Sequence, residues 1–421
     1  MIVDHRDYRN NTKTKMDWVL LLIGLSCGGV IFHTYIGYPL LIYWLFRSCG
    51  LPVKKQDLQE RCSIVIAAYN EANTLPAKLQ LLLASDNEPL IAQILIGSDG
   101  STDGTEAAVE AVGDSRIRVI RFNKRRGKPA LLNELIPACG SGIVVLTDAR
   151  QEIADGAIAG LLRNFADPAV GVVSGELIFR TGTGPSATAV GMDTYWRYEK
   201  WIRRAEGQFR SVPGATGALY AIRCDEFRPI PPEMLLDDVA IPMQIICRGW
   251  RCVFEPEAVV YDVPSVAGRA EDARKRRTIA GNIQLALRMP ELLLPTHNPI
   301  WFEFMSHKMI RLLSPLCLLV LLLTTALGTG LGFLTDDRAE AWQWVFRSLF
   351  IAQAAFYLLA GFGSTRWGRG TRLAVVAAMF IRLNWVTCLA WLDAWAGRFR
   401  VDWQRSSALD TSGNETSSAN S

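Results

Sequence analysis

The sequence is poor in charge and has no paired cysteines. Only 20% of its 421 residues are charged and 50% are hydrophobic, which is more apolar surface than an ordinary globular chain buries. The 45 basic and 41 acidic residues nearly cancel, leaving a formal net charge of +4. Such a balance argues against a nucleic-acid partner, which calls for a dominant basic surface, and favours membrane lipids. The nine cysteines contain no Cys-x-x-Cys pair, which predicts reduced thiols facing a cytosol instead of a disulfide framework or a zinc site.

The apolar residues are concentrated near the two ends of the chain. The stretch 18–46 is nearly uncharged and long enough for one tilted membrane helix. Its length and aromatic content favour an uncleaved anchor over a cleaved signal peptide. Three further apolar blocks, at 309–334, 341–362 and 373–395, predict two to three membrane helices within 309–397.

The charges between these blocks predict the orientation of the chain. The loop at 335–340 is acidic and the loop at 364–372 is basic, which by the positive-inside rule places the first outside and the second in the cytoplasm. The last block contains Arg382 and Asp393 and is followed by basic residues, so it either spans the membrane, lies in its interface or lines a cavity. We expect a multi-pass protein of the cell (inner) membrane with its central domain in the cytoplasm.

The predicted division of the chain is a polar tail at 1–17, a membrane helix at 18–46, an α/β domain at 50–296, an interfacial segment at 297–308, membrane helices at 309–397 and a disordered tail at 406–421.

Short β-branched runs alternate with helical stretches in the central part of the chain. The runs lie at 63–67, 94–96, 117–121, 143–146 and 170–173. This alternation predicts an α/β fold with a Rossmann-like, mostly parallel sheet covered by helices. In such sheets ligands bind beyond the carboxyl ends of the strands, where the polar motifs of this chain fall.

The first such motif follows the first predicted strand. Ala68, Tyr69, Asn70 and Glu71 bring an aromatic ring, an amide and a carboxylate to the edge of the expected cleft, where they can stack a base and bind ribose hydroxyls. The alternative is that Asn70 and Glu71 cap the helix that follows.

Two further motifs follow the next strands. Asp99 lies in the segment 97–105, whose glycines allow a close backbone approach to a ligand, although a plain turn also explains them. The basic run 124–128 ends at Lys128, just before a predicted helix at 129–134. A cationic cluster at a helix start suits a diphosphate, whereas the alternative is a solvated basic surface.

Acidic residues complete the candidate site. Asp148 ends a buried-looking run, where a carboxylate can hold a hard cation bound to phosphate oxygens. Asp237 and Asp238 lie in an apolar stretch, where burial raises a carboxyl pKa toward the range of a general base; the alternative is a helix N-cap. The basic run 274–277 can close on a diphosphate or lie on anionic lipid.

In their order along the chain these segments resemble the family 2 glycosyltransferases, in particular the membrane-embedded group related to hyaluronan and cellulose synthases. The resemblance covers about 34–403 and rests on the segments 35–39, 65–71, 98–105, 126–128, 147–149, 214–217 and 237–238. It implies a GT-A fold and an inverting transfer from a nucleotide sugar, such as a UDP-sugar, to a lipid-linked or growing saccharide acceptor in polysaccharide or glycolipid biosynthesis.

The resemblance also implies roles for individual residues. Asp238 is expected to be the general base with Asp237 beside it, and Thr216 and Gly217 are expected at the acceptor. Asp148 is expected to hold a divalent cation, Mg²⁺ or Mn²⁺. The residues expected to bind the nucleotide sugar are Ala68, Tyr69, Glu71, Asp99, Lys128, Asp148, Arg276 and Arg277.

Two departures from the family pattern bear on function. Arg150 stands where family members often carry a second acid, which shifts neutralisation of the diphosphate toward arginines. The segment 274–278 stands where processive synthases carry Gln-x-x-Arg-Trp, and without that stacking Trp we expect the addition of one or a few sugars. The alternative is a non-catalytic nucleotide-sugar-binding membrane partner in a glycan assembly complex. A nucleotidyltransferase is disfavoured because no Gly-rich signature precedes a Lys near the first strand.

Overall fold

The computed structural model describes residues 5–58, 60–180, 187–262, 268–334 and 341–399. The predicted outer loop at 335–340 and the predicted disordered tail at 406–421 lie outside the described residues. The domain limits given above therefore stay predictions, while the secondary structure can be compared directly.

The described strands form a single mixed sheet in the order β3-β2-β1-β4-β7-β6-β8-β5. They are β1 (Cys62–Ala68), β2 (Ile91–Asp99), β3 (Ile117–Phe122), β4 (Ile143–Asp148), β5 (Glu152–Ile153), β6 (Val170–Phe179), β7 (Leu219–Arg223) and β8 (Arg251–Asp262). The pairs β1–β2, β1–β4, β2–β3 and β6–β8 are parallel, whereas β7 runs antiparallel to both β4 and β6. The predicted Rossmann-like, mostly parallel sheet is confirmed.

Helices cover both faces of this sheet and form the two apolar ends. They are α1 (His5–Phe32), α2 (Tyr38–Cys49), α3 (Leu75–Leu83), α4 (Thr105–Glu110), α5 (Lys128–Leu135), α6 (Ala157–Leu162), α7 (Ala187–Phe209), α8 (Asp237–Cys247), α9 (Gly268–Arg288), α10 (Trp301–Phe304), α11 (Ser314–Leu334), α12 (Ala341–Ser364) and α13 (Arg372–Trp395). Two large buried apolar clusters, one on each face of the sheet, hold these layers together.

The register of the parallel strands brings their carboxyl ends to one level. Ala67 of β1 lies opposite Gly97 of β2 and opposite Asp148 of β4. The strands are buried along nearly their whole length because helices pack on both faces. The loops that follow β1, β2 and β4 therefore meet at one edge of the sheet.

Within the described residues, four helical stretches are long and apolar enough to cross a membrane. They are Trp18–Cys49, Trp301–Leu331, Gln343–Ser364 and Arg372–Trp395. The first joins α1 to α2 through a π-helical turn at His33–Gly37, and the second contains a π-helical turn at Met305–Met309. The apolar blocks expected from the sequence thus coincide with helices.

A buried polar network fastens two of these stretches to the central domain through α7. The Tyr38 hydroxyl donates to Glu206 at 2.5 Å. The two ring nitrogens of His307 lie 2.8 Å from Glu206 and 3.0 Å from Glu199. Because these buried groups are hydrogen-bonded to one another, they hold the two apolar stretches against α7.

Candidate active site

The Asp99 carboxylate organises the loop between β3 and α5. It is 1% exposed, and its two oxygens accept hydrogen bonds from the backbone N–H groups of Arg126 at 2.6 Å and Gly127 at 2.9 Å. Gly100 has a φ of +70° and packs against the backbone at Lys124, so a side chain there would be strained as well as crowded. Asp99 thus fixes the basic loop beside the ends of β1 and β2.

The motif after β1 lies against the same loop. The Arg125 guanidinium covers the Tyr69 ring, with its carbon 4.0 Å from the ring centre. Asn70 adopts a φ of 56°, and its side-chain oxygen accepts from the Thr102 backbone N–H at 2.9 Å. The side chain of Asn70 therefore joins two loops and does not cap α3. Glu71 accepts from the Thr74 hydroxyl within its own turn.

Lys128, at the start of α5, lies between two carboxylates. Its Nζ is 2.8 Å from Asp148 Oδ1 and 3.2 Å from Asp237 Oδ2. Burial alone would lower the pKa of Lys128, but attraction to both acids outweighs it and raises the pKa. Burial would likewise raise the pKa of Asp148, but Lys128 outweighs it and the pKa lies below its usual range. The sheet edge therefore holds the Lys128 ammonium between two carboxylates, and the pKa shifts of Lys128 and Asp148 both favour the charged pair.

Asp238 has a raised pKa, in contrast to Asp148. It lies in the first turn of α8, where Leu236 is the N-cap, so neither Asp237 nor Asp238 is the capping residue. Its Oδ2 accepts from the Gly217 backbone N–H at 3.1 Å. Burial and the adjacent charge of Asp237 raise the pKa of Asp238 to about 6, although Lys128 attracts its charged form. A carboxyl with this pKa is suited to accept a proton near neutral pH.

The segment around Gly217 leaves room for that carboxylate. A Cβ at Gly217 would lie 2.9 Å from Asp238 Oδ2, so the site requires glycine there. The Thr216 hydroxyl accepts from Arg203 Nη1 at 2.9 Å, and the Thr216 backbone N–H donates to Ser174 Oγ at 2.9 Å. The Gly217 backbone thus lies against the Asp238 carboxylate with Thr216 next to it in the chain, and their expected role at the acceptor stays a prediction.

The described ion pairs of the α9 arginines are with residues outside this cluster. Arg276 pairs with Asp393 in α13, and Arg277 is exposed. Arg274, in contrast, reaches Asp262 at 3.5 Å, and Asp262 also accepts from Arg150 at 2.9 Å. Arg150 is therefore oriented by a carboxylate at the end of β8.

Sequence reasoning missed the groups beneath the Asp148 turn. Lys78 of α3 is buried, and its Nζ donates to Thr147 Oγ1 at 3.0 Å and to the carbonyl oxygens of Asp148 at 2.6 Å and Gln151 at 2.7 Å. Burial lowers the pKa of Lys78 to about 7, although Asp148 attracts its charged form. A lysine among the apolar residues of a helix is the only sequence signal for this contact, and it does not name the partner.

The donor set around Asp148 bears on metal binding. No cluster of three or more His, Cys, Asp or Glu that could hold a metal ion occurs among the described residues. Magnesium and similar cations, however, often use one or two carboxylates together with substrate phosphates. Asp148, at a strand end and only partly buried, fits a single-carboxylate ligand of a cation carried by a diphosphate.

Comparison with known proteins identifies the domain. Residues 63–228 match the family model "Glycosyl transferase family 2". The poly-beta-1,6-N-acetyl-D-glucosamine synthase of Staphylococcus aureus (strain MSSA476) is 24% identical over 272 residues, which are 60% of this chain and 65% of that protein. The chain therefore matches slightly less than two thirds of the length of this relative. The succinoglycan biosynthesis protein ExoU of Rhizobium meliloti (strain 1021) is 33% identical over 101 residues, 24% of this chain and 29% of that protein.

A solved structure supports the fold. The mannosyltransferase PcManGT from Pyrobaculum calidifontis, in complex with GDP-Man and Mn²⁺, superposes with a TM-score of 0.64 at 19% identity and covers 91% of this chain and 99% of that one. The sheet, its helical layers and the apolar helices thus follow an architecture already seen in a glycosyltransferase. Residues 63–228 therefore form a family 2 glycosyltransferase domain, and the chain shares its GT-A fold with this solved glycosyltransferase.

Proposed function

We propose that this enzyme transfers a sugar from a nucleotide sugar, in the first instance a UDP-sugar, to a lipid-linked or growing saccharide acceptor in polysaccharide biosynthesis. The observation that carries the proposal is the position of Asp238, whose pKa is raised to about 6. The Asp238 carboxylate accepts a hydrogen bond from the Gly217 backbone N–H. It is adjacent in the chain to Asp237, which contacts Lys128 as Asp148 does. The similarity to a named polysaccharide synthase supports the pathway.

In this proposal Asp238 is the general base. Its carboxylate takes the proton of the acceptor hydroxyl as the hydroxyl oxygen attacks the anomeric carbon of the donor. One displacement on the face opposite the leaving group inverts the anomeric configuration. Gly217 keeps the space in front of Asp238 open, and Thr216, held by Arg203 and Ser174, lines that space.

The donor is proposed to lie over the carboxyl ends of β1, β2 and β4. Tyr69 and Glu71 would contact the base and ribose, and Asp99 would keep the basic loop in place. Lys128 would offset charge on the departing diphosphate. A divalent cation at Asp148 would neutralise the same diphosphate when bound. A direct role for Arg276 would require its guanidinium to leave Asp393, with which it pairs, whereas Arg277 is exposed.

The proposed site faces the cytoplasm at the inner membrane. The basic loop at 364–372 supports this orientation. The acceptor would then reach Asp238 from the side of α7, which contacts the membrane helices through Glu206 and Glu199.

The test is release of nucleoside diphosphate by the full chain in a membrane mimetic. UDP- and GDP-sugars are supplied with lipid extracts as acceptor source and with Mg²⁺, Mn²⁺ or a chelator. Turnover with one donor that is lost in Asp238→Asn and in Asp148→Asn would support the proposal. Nucleotide binding without turnover on any donor would instead favour a non-catalytic partner, and chelator sensitivity tests the cation.

A further inference from the structure

The C-terminal end of α13 is packed into the catalytic domain. Ala390 is fully buried in the same apolar cluster as Ile283 of α9, and Ala394 and Phe399 pack against that cluster. The indole N–H of Trp391 donates to the carbonyl oxygen of Leu312 at 2.9 Å, just before α11 begins. The end of α13 therefore lies at the end of α11 that is next to the catalytic domain.

The helix α12 starts at the opposite end of α11. Thr325 of α11 contacts Gln353 of α12 at 3.2 Å, and Gly328 packs directly on Phe346. These pairs make the two helices antiparallel. The 335–340 connection is also too short to cross a bilayer, since six residues reach roughly 20 Å. With a rise of about 1.5 Å per residue, Gly328 lies about 20 Å along α11 from the first residue of the helix. Trp391, at Leu312, and Phe346, at Gly328, therefore contact α11 near opposite ends.

The beginning of α13 follows α12 for only part of its length. The backbone of Ala374 packs on Gly363, and the rings of Phe380 and Phe356 lie 5.6 Å apart. A helix that continued back along α12 would bring Trp391 toward Phe346, yet Trp391 contacts Leu312. After Phe380 the helix thus diverges from α12 and runs toward the catalytic domain.

The two sides of α13 differ in chemistry. Arg382 and Asp393 are eleven residues, or about three turns, apart and so share one face. Arg382 pairs with Asp272 at 2.9 Å and Asp393 with Arg276, both in α9. A different face is exposed and apolar, and it carries Trp385, Leu392 and Trp395.

We propose that α13 does not cross the membrane but lies across the membrane-facing side of the catalytic domain, with its Trp385, Leu392 and Trp395 face in the lipid interface. Tryptophan is enriched at the interface between lipid headgroups and hydrocarbon chains. The ion pairs with α9 explain why an apolar helix carries Arg382 and Asp393. Both ends of α13, and the basic residues beyond each, then lie on the side of the catalytic domain, as the positive-inside rule favours.

The location of the C-terminus tests this directly. An epitope tag is placed after Ser421 of the full chain and, in a second version, after Asp337 in the 335–340 loop. Protease is added to right-side-out and to inverted membrane vesicles. We expect the tag after Ser421 to be cleaved in the same vesicles as the catalytic domain and the tag after Asp337 in the other preparation. Cleavage of both tags from one side, opposite to the catalytic domain, would show that α13 crosses.

Fluorescence quenching tests the lipid contact. The protein is reconstituted in lipids brominated either near the headgroup or near the chain ends. The fluorescence of Trp385 and Trp395 is obtained as the difference between wild type and the Trp385→Phe, Trp395→Phe double variant, and its quenching is compared between the two lipids. Stronger quenching by the shallow bromines is expected. Stronger quenching by the deep bromines, or none by either, would overturn the interfacial assignment. Neither experiment depends on the donor, so both outcomes are independent of the proposed function.

Discussion

Arg276 donates two hydrogen bonds to the carboxylate of Asp393, one from Nε and one from Nη2, the latter at 2.6 Å. This bidentate pair joins α9 of the catalytic domain to α13. The Arg276 side chain is 37% exposed and the Asp393 side chain 16%, so water screens the pair only partly. A second pair, Arg382 with Asp272, lies on the same face of α13.

The pair predicts coupling between the two helices. Asp393→Ala and Arg276→Ala should each lower the melting temperature in detergent, and the double variant should lose less than the sum. The coupling free energy is expected to be about 0.5–3 kcal/mol, as for charged residues in direct contact. Arg277→Ala is the matched control, because Arg277 is exposed and its removal should change little. Additive losses would mean that the pair contributes no mutual stabilisation.

Removal of the proposed base should affect turnover and leave donor binding intact. Asp238→Asn keeps the size of the side chain and the acceptor oxygen for the Gly217 N–H but cannot take a proton. We expect kcat to fall by about 10²–10⁴-fold, with nucleoside diphosphate affinity changed little. Asp155→Asn, at an exposed aspartate of the same domain, serves as control. A variant with wild-type kcat would exclude Asp238 as the base.

The same carboxyl predicts the acid limb of the pH profile. Because burial and Asp237 raise the pKa of Asp238 to about 6, the base is protonated, and inactive, below that pH. The logarithm of kcat/KM should fall with decreasing pH through about 6, toward a slope of one per pH unit. A profile that stays flat down to pH 5 would be incompatible with this base.

Gly217 should tolerate no side chain. A Cβ there would lie 2.9 Å from Asp238 Oδ2, so Gly217→Ala must displace the carboxylate from the Gly217 N–H. We expect a loss of kcat with a folded protein and unchanged nucleotide binding. Gly140→Ala is the matched control, because a Cβ at Gly140 meets nothing within 4 Å. Equal activity of the two variants would show that Asp238 need not hold its observed position.

The strands and the candidate site residues could be predicted from the sequence because both depend on local sequence patterns. The five predicted runs lie within β1, β2, β3, β4 and β6. Strand ends indicate Asp99 and Asp148, a basic cluster at a helix start indicates Lys128, and an apolar stretch indicates Asp238. The structure adds which of them touch, since Lys128 meets Asp148 and Asp237 only through the sheet order.

The contacts that sequence reasoning could not predict join elements far apart in the chain. Arg276 meets a residue 117 positions away, and the alternatives left open for the basic run, diphosphate or lipid, did not include another helix. Arg382 and Asp393 were recognised as anomalous in an apolar block, but their partners in α9 depend on tertiary packing. Charge in an apolar run thus indicates a partner without naming it.

Lys78 should hold the turn that carries Asp148. Its buried Nζ donates to the carbonyl oxygens of Asp148 and Gln151 and to Thr147 Oγ1. Because its pKa is about 7, part of the amine is charged at neutral pH, and a charged donor makes such bonds stronger than a neutral one does. Lys78→Met removes all three bonds while keeping a long side chain. The affinity for nucleoside diphosphate, measured by calorimetry with and without Mn²⁺, should drop by about 10- to 100-fold, the usual cost of losing a residue that orients a ligand-binding group.

The control is Gln80→Met, which places the same residue on the exposed side of α3 and should bind like wild type. If Lys78→Met does not fold, Lys78→Gln keeps a donor and should show a smaller loss together with faster hydrogen exchange at 148–152. The effect should also shrink in an Asp148→Asn background, because Lys78 acts on the ligand through Asp148. Undiminished nucleotide affinity in a folded Lys78 variant would mean that the turn keeps its geometry without the ammonium.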